Sequence, residues 1–445
     1  MPRPVLRGSM RQVAAALLLC ALGTGSLTEG TTIPSDKCNG SSDYCILPFD
    51  HFTLPGTHNS AAYDLVPDCA VTKQCQGGME LCASTSSKCS GSWRSACVQT
   101  ANKCLDRLDG KSNMWAKFGK SVCKSWAAVC AGPSVTCDIW EDVCKVPVHV
   151  CSTGLPLICK NTPHWFKSCI WENQPDHDIA QQLADGIRSF DIDLCEVEGG
   201  EILTCHGQGP TRALGAPLDV HLQQVRDFMI ANPREVISLE YGDYDGSEYV
   251  IGVALQKKLE EYLPGKILEH GDKVDDPWPT LGEMIQTGKQ AVVFVGAYGP
   301  SIPDKPRWMI DRRPFYSSTW SYTNDRHTAK DMASGMLKHV EDDERKTPWE
   351  CLDFEYSPNA KSVLDSVLHL KKPEVCLGDM AQRIRDDIAY VADSYSNKFH
   401  RIHRMRVDYY FSVKDVLFTA VAALNTLNVA RFQVEKYATI GPNNH

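Results

Sequence analysis

Outside one cysteine-rich block, short apolar runs alternate with longer stretches of helical periodicity. Residues 52–56, 188–194, 202–206, 236–241, 291–296 and 406–411 have strand-like length and apolar content. Residues 218–230, 249–262 and 413–427 repeat apolar positions at three- and four-residue spacing, which predicts amphipathic helices. Strand–helix alternation predicts an α/β fold with a parallel sheet and helical crossovers. The apolar run 416–430 is followed by Arg431, Glu435 and Lys436, and reads as neither a membrane span nor a lipid-anchor signal.

The block from Cys69 through Cys169 breaks this pattern and holds thirteen of the 20 cysteines. They recur in steps close to seven: Cys75, Cys82, Cys89, Cys97 and Cys104, then Cys123, Cys130, Cys137, Cys144 and Cys151. Seven residues are nearly two helical turns, so each series predicts one stripe along a helix. The series mirror each other about residues 113 and 114, which sets Cys104 opposite Cys123 and, at the far end, Cys69 opposite Cys159. Residues 69–169 are therefore expected to form an inserted antiparallel helical hairpin stapled by disulfides. Irregular loops with other pairings are the alternative, since Gly77-Gly78, Gly132-Pro133 and Pro147 oppose a helix. At the hairpin tip, Met114, Trp115 and Phe118 lie among Lys111, Lys117, Lys120 and Lys124, which suits either an anionic membrane surface or a solvated loop. Beyond Cys20 and the twelve ladder cysteines remain Cys38, Cys45, Cys169, Cys195, Cys205, Cys351 and Cys376. Their odd number leaves one thiol free or paired outside the chain, and Cys195 with Cys205 is the expected local bridge.

At 43% hydrophobic and 23% charged residues the chain has the composition of a globular protein, and its net charge of −9 argues against a nucleic-acid partner. Arg3, Arg7 and Arg11, an apolar run over 13–22 and small residues over 23–26 read as a secretory signal, residues 1–26. Cysteine density agrees with an oxidising, extracellular destination. Asn39-Gly40-Ser41 is a glycosylation sequon.

Polar, titratable residues gather at the ends of the predicted strands: Leu54-Pro55-Gly56-Thr57-His58-Asn59-Ser60, Asp191 and Asp193, Thr204-Cys205-His206-Gly207, and Glu240. In a β/α barrel such ends converge on one face, where active sites are built. The motifs LPGTHNS, GIRSFDID, CHG and NPREVISLEYG, in that order, resemble the X domain of phosphoinositide-specific phospholipase C. The resemblance covers residues 46–65 and 170–300 and continues weakly over Val407-Asp408-Tyr409-Tyr410 and Lys414-Asp415-Val416.

What the resemblance implies is a TIM-type (β/α)8 barrel formed by residues 33–68 and 170–445, interrupted by the cysteine-rich insertion. It implies a secreted phosphodiesterase acting on a phosphatidylinositol-type lipid. His58 and His206 match the catalytic histidines, and Asn59, Asp191, Asp193 and Glu240 match the calcium ligands of the metal-dependent branch. Their hard oxygen donors suit Ca²⁺, with Mg²⁺ as the alternative. His206 is the expected general acid, and His58 the base or a hydrogen-bond donor to the transition state. Asp408 either orients a histidine or caps a strand; Arg188, Asp243 and Asp245 have structural explanations as well as functional ones. The strand over residues 290–295 lacks lysines for extra inositol phosphates. A glycerophosphodiester or sphingolipid phosphodiesterase, and a non-catalytic binding protein on the same scaffold, are the other functions considered.

Overall fold

A computed structural model describes residues 37–68, 164–207, 212–296, 305–319, 329–342, 349–355, 372, 376–396 and 401–440. The predicted signal and hairpin lie outside the described residues. The strands are β1 (Leu54–Thr57), β2 (Val66–Pro67), β3 (Ser189–Glu196), β4 (Ile202–His206), β5 (Ala213–Pro217), β6 (Ile237–Asp245), β7 (Ala291–Val295), β8 (Met309–Asp311), β9 (Tyr316–Ser318), β10 (Trp349–Phe354) and β11 (Ile402–Val407).

Parallel pairing runs β1–β3–β6–β7–β8 on one side of β1 and β11–β10–β9 on the other, so the first and last strands adjoin. Among the described residues no ladder joins β8 to β9, so the expected closed barrel reduces to an α/β fold with a mixed sheet in barrel order. The mixed part is β4, which pairs antiparallel with β3, followed by β5 and β2. His206 therefore ends an antiparallel excursion, not a strand of the parallel series as the sequence suggested.

The crossover helices form because apolar residues recur on one face. Helices α1 (Ile179–Asp185), α2 (Leu218–Ala231), α3 (Glu248–Tyr262), α4 (Leu281–Gln286), α5 (Ala329–Asp342), α6 (Leu377–Ser396) and α7 (Tyr410–Ile440) follow in chain order. Along α2, Leu218, Leu222, Val225 and Met229 are buried at helical spacing against the sheet. Helix α1 starts where the Asp178 carboxylate accepts from Gln181 N at 2.8 Å and stops at Gly186, φ 109°. Helix α7 has the length and apolar content to cross a membrane. It nonetheless buries Tyr410, Val413, Leu417, Ala420, Val421 and Leu424 in the core shared with the sheet.

Two layers fill the space inside the curled sheet. The lower is aromatic, with Phe49, Trp278, Phe294, Phe315, Trp349 and His403 in ring contact. The upper, toward the strand C-termini, is charged. A register skip between Glu350 and Cys351 gives β11 an extra residue, so His403 and Arg404 both point inward despite being consecutive. Gly56 is required where β1 passes these charges: a Cβ there would stand 3.1 Å from Arg406 Cγ and Ser189 Cβ.

Of the seven cysteines outside the ladder, Cys38–Cys45, Cys169–Cys376 and the expected Cys195–Cys205 pair as disulfides. The odd thiol is Cys351, buried in β10.

Candidate active site

His58 follows β1 and is half-buried at the mouth above the charged layer. Its Nδ1 lies 2.9 Å from Asp408 Oδ1, just past β11, and its Nε2 lies 3.3 Å from Glu355 and 4.0 Å from Asp191. Asp408 thus orients a histidine and is not merely a strand-end cap. Burial would lower the His58 pKa, but Glu355, Asp408 and Asp191 overcome it and raise it to about 10. His206 faces the opposite balance. Its Nδ1 donates to the Trp171 carbonyl at 2.5 Å, and burial, aided by the charge of His58, lowers its pKa to about 4. The two imidazoles share one electrostatic neighbourhood, with His58 charged and His206 neutral at pH 7.

The four expected metal ligands reach the same mouth. Asn59 N approaches Asp191 Oδ2 at 3.4 Å, and Asp191 pairs with Glu240 across β3 and β6. Arginines, however, already occupy two of these carboxylates, Asp191 and Glu240. Glu240 is fully buried between Arg404 and Arg312, with Arg406 at 3.8 Å. Burial would raise its carboxyl; the three guanidinium groups hold it well below the usual range. Arg406 also meets Asp191 at 2.9 Å, Asp353 at 2.5 Å and Glu355 at 3.0 Å. Among the described residues no group of three or more His, Cys, Asp or Glu side chains is placed to hold a metal ion. As arranged, Asp191 and Glu240 have their compensating positive charge in guanidinium form, on the oxygens a calcium ion would take.

Asp193 and Asp243 sit beside this network and repel one another. Burial, then the charges of Asp243 and Asp191, push the Asp193 carboxyl up; burial, with the charges of Asp191 and Glu240, raises that of Asp243 against the pull of Arg312. Glu355 is raised to about 8 by burial, against the pull of His58 and Arg406. Outside the mouth, Arg188 pairs with Glu235 at 2.8 Å and donates to the Leu183 carbonyl, while Asp245 pairs with Arg212 at 3.2 Å; their roles are structural.

Asp353, Glu355, Arg404, Arg406, Asn173 and Gln174 are site residues that sequence reasoning did not single out. One signal was present: Arg404 and Arg406 alternate with Met405 and Val407 in a short run, the pattern of a strand with one apolar and one charged face.

Residues 164–331 match the PI-PLC X family, PI-PLC X 1. The PI-PLC X-domain resemblance stands. The matched segment begins at residue 164, so LPGTHNS lies outside it; pairing of β1 with β3 sets His58 beside the matched strands. Two relatives come from Arthroderma benhamiae. An uncharacterized secreted protein is 33% identical over 139 residues, 30% of each chain. A PI-PLC X domain-containing protein 1 is 26% identical over 204 residues, 41% of this chain and 64% of the relative. The chain spans less than two thirds of either relative's length. Phosphatidylinositol-specific phospholipase C from Listeria monocytogenes is similar at 16% identity and a TM-score of 0.40, over 57% of this chain and 84% of that one. A mutant of the Staphylococcus aureus enzyme gives 17% and 0.39, over 57% and 86%.

Proposed function

We propose that the protein is a secreted phosphodiesterase that cleaves a phosphatidylinositol-type lipid by proton transfer between His58 and His206. The observation that carries this is the 2.9 Å contact of His58 Nδ1 with Asp408, made in the mouth that also holds His206. A carboxylate on one imidazole nitrogen fixes ring orientation and stabilises the imidazolium, leaving Nε2 for substrate. Secretion is supported by the three disulfides and by the secreted relative.

The charge states favour a division of labour opposite to the one expected for His206. With its Nδ1 hydrogen on the Trp171 carbonyl, neutral His206 has its lone pair on Nε2. It takes the proton from the hydroxyl neighbouring the phosphate as that oxygen bonds to phosphorus. Charged His58 donates toward the phosphoryl group and gives its proton to the departing alkoxide as the P–O bond breaks, yielding a cyclic phosphate. No step here requires a metal. Calcium, with Mg²⁺ as alternative, is a separate arm of the test.

The test compares cleavage of phosphatidylinositol, a glycerophosphodiester and sphingomyelin, each with Ca²⁺ and with chelator, for wild type, His58→Ala and His206→Ala. Wild-type cleavage of the inositol lipid that survives chelation and falls at least about 100-fold in both variants is expected. Preference for another diester transfers the substrate assignment to it. Inactivity on all three with Ca²⁺ present overturns the enzyme proposal in favour of a binding role.

A further inference from the structure

We propose that residues 171–174, between the cysteine-rich block and α1, form a positioning clamp for both histidines, with Asn173 as its central side chain. This rests on the acid–base pair proposed above. Asn173, buried at 1% exposure, donates from Nδ2 to Asp408 Oδ1 at 2.8 Å, the same oxygen that His58 Nδ1 reaches. Its side-chain oxygen accepts from Asn59 Nδ2 at 3.3 Å, and its carbonyl accepts from Tyr409 N at 2.7 Å. Asn59 and Tyr409 directly follow the two members of the dyad, and both are left-handed, with φ of 43° and 49°. For an aromatic residue that backbone is strained and persists only where its surroundings impose it. One asparagine thus holds the strained backbone on both sides of the His58–Asp408 contact.

Its neighbours complete the clamp. Gln174 Nε2 donates to the carbonyls of His58 at 3.0 Å and Val407 at 3.1 Å, which ties the end of β1 to the end of β11. The Trp171 carbonyl takes the Nδ1 hydrogen of His206 and so sets its tautomer. The clamp is itself anchored: the Ser168 carbonyl accepts from Tyr409 Oη, and Cys169 is bonded to Cys376 at the start of α6. Asn173 is a positioning residue, acting on the reaction through Asp408.

Asn173→Asp keeps size and shape but turns a donor to Asp408 into a like charge. The first readout is the low-field proton resonance of His58 Nδ1–H, assigned by its loss in His58→Gln; the second is steady-state cleavage. In Asn173→Asp the resonance is expected to shift or vanish, and kcat to fall about 100-fold with KM within about threefold, the pattern of a misplaced group. Asn173→Ala, which keeps the carbonyl to Tyr409, carries the same test if the aspartate folds poorly. An unchanged resonance with unchanged kcat in either folded variant overturns the proposal. A wild type that cleaves no diester overturns the proposed function alone, because the resonance still decides the role of Asn173.

Discussion

Asp408 separates chemistry from folding at the level of single residues. Asp408→Asn keeps the shape of the carboxylate but removes the charge facing His58 Nδ1 and permits the wrong tautomer. At a temperature where both proteins are folded, cleavage is expected to fall at least about 100-fold, while calorimetry reads separately the stability lost with the charge that holds His58 protonated. The motif residues were legible because a histidine or carboxylate at a strand end has few structural uses. The partners of those residues were not, since Arg404 and Asp353 become sensible only when folding brings their charges together. Asn39 is a second instance. As a sequon it predicts a glycan, yet its side chain bonds the Val236 carbonyl at 2.8 Å and amide at 2.9 Å, inside the loop closed by Cys38 and Cys45. Nδ2, the atom a glycan would take, already caps this contact. Intact mass of the secreted protein is expected to show Asn39 unmodified, and Asn39→Ala to lower stability by about 1 kcal/mol through the lost pair of bonds.

At the scale of the element, β10 and β11 carry the surprises. The last strand was placed at 406–411 because that run is the more apolar, whereas the structure puts it at Ile402–Val407 and begins α7 at Tyr410. Charged residues at alternate positions depress the strand signal, and the extra residue at His403 breaks its period of two. Strand β10 and helix α6 are not among the elements the sequence pattern predicts; Glu350, Asp353 and Glu355 interrupt the apolar run of the first. Strands β6 and β7 and helices α2 and α3 were legible within a few residues, since the strands are short apolar runs and the helices space their apolar residues regularly. His403 tests how the lower layer tolerates a titratable ring. It lies 4.4 Å from Trp349 and 4.9 Å from Phe49 by ring centroids, and burial lowers its pKa to about 3. His403→Phe is expected to stabilise the protein by about 1 kcal/mol at pH 7 by removing buried polar atoms. The gain grows as pH falls below about 6.5, because only the unfolded histidine then takes up a proton. Urea unfolding at pH 7 and pH 5 measures both.

For the whole molecule, the buried titratable groups predict a stability maximum near neutral pH, bounded on two sides by different residues. His206 and His221 have folded pKa values lowered to about 4. Each contributes stability that is complete above its unfolded value of about 6.5 and lost as pH falls toward 4. His221 is held between Tyr63 Oη at 3.0 Å and Thr204 Oγ1 at 3.1 Å, so a second proton on its ring forces the hydroxyl that donates to it to turn and accept instead. The alkaline side belongs to the mouth. His58 is raised to about 10 and Glu355 to about 8, and these two groups bind protons more tightly in the fold than in the unfolded chain. The stabilisation from His58 is complete below about 6.5 and lost as pH rises through 10; that from Glu355 is complete below about 4.5 and lost through 8. Once His58 discharges, Asp408 and Glu355 face a neutral ring, and the carboxylates around Arg406 outnumber the cations beside them. Between pH 7 and 9 the slope of unfolding free energy should therefore be negative, approaching about 1.4 kcal/mol per pH unit for each proton retained. Glu355→Gln should flatten that slope and also remove the loss of stability that begins above pH 4.5. Thermal midpoints recorded from pH 4 to 10 for wild type and Glu355→Gln decide it. An alkaline slope that is identical in the two proteins removes Glu355 from the proton inventory of the mouth.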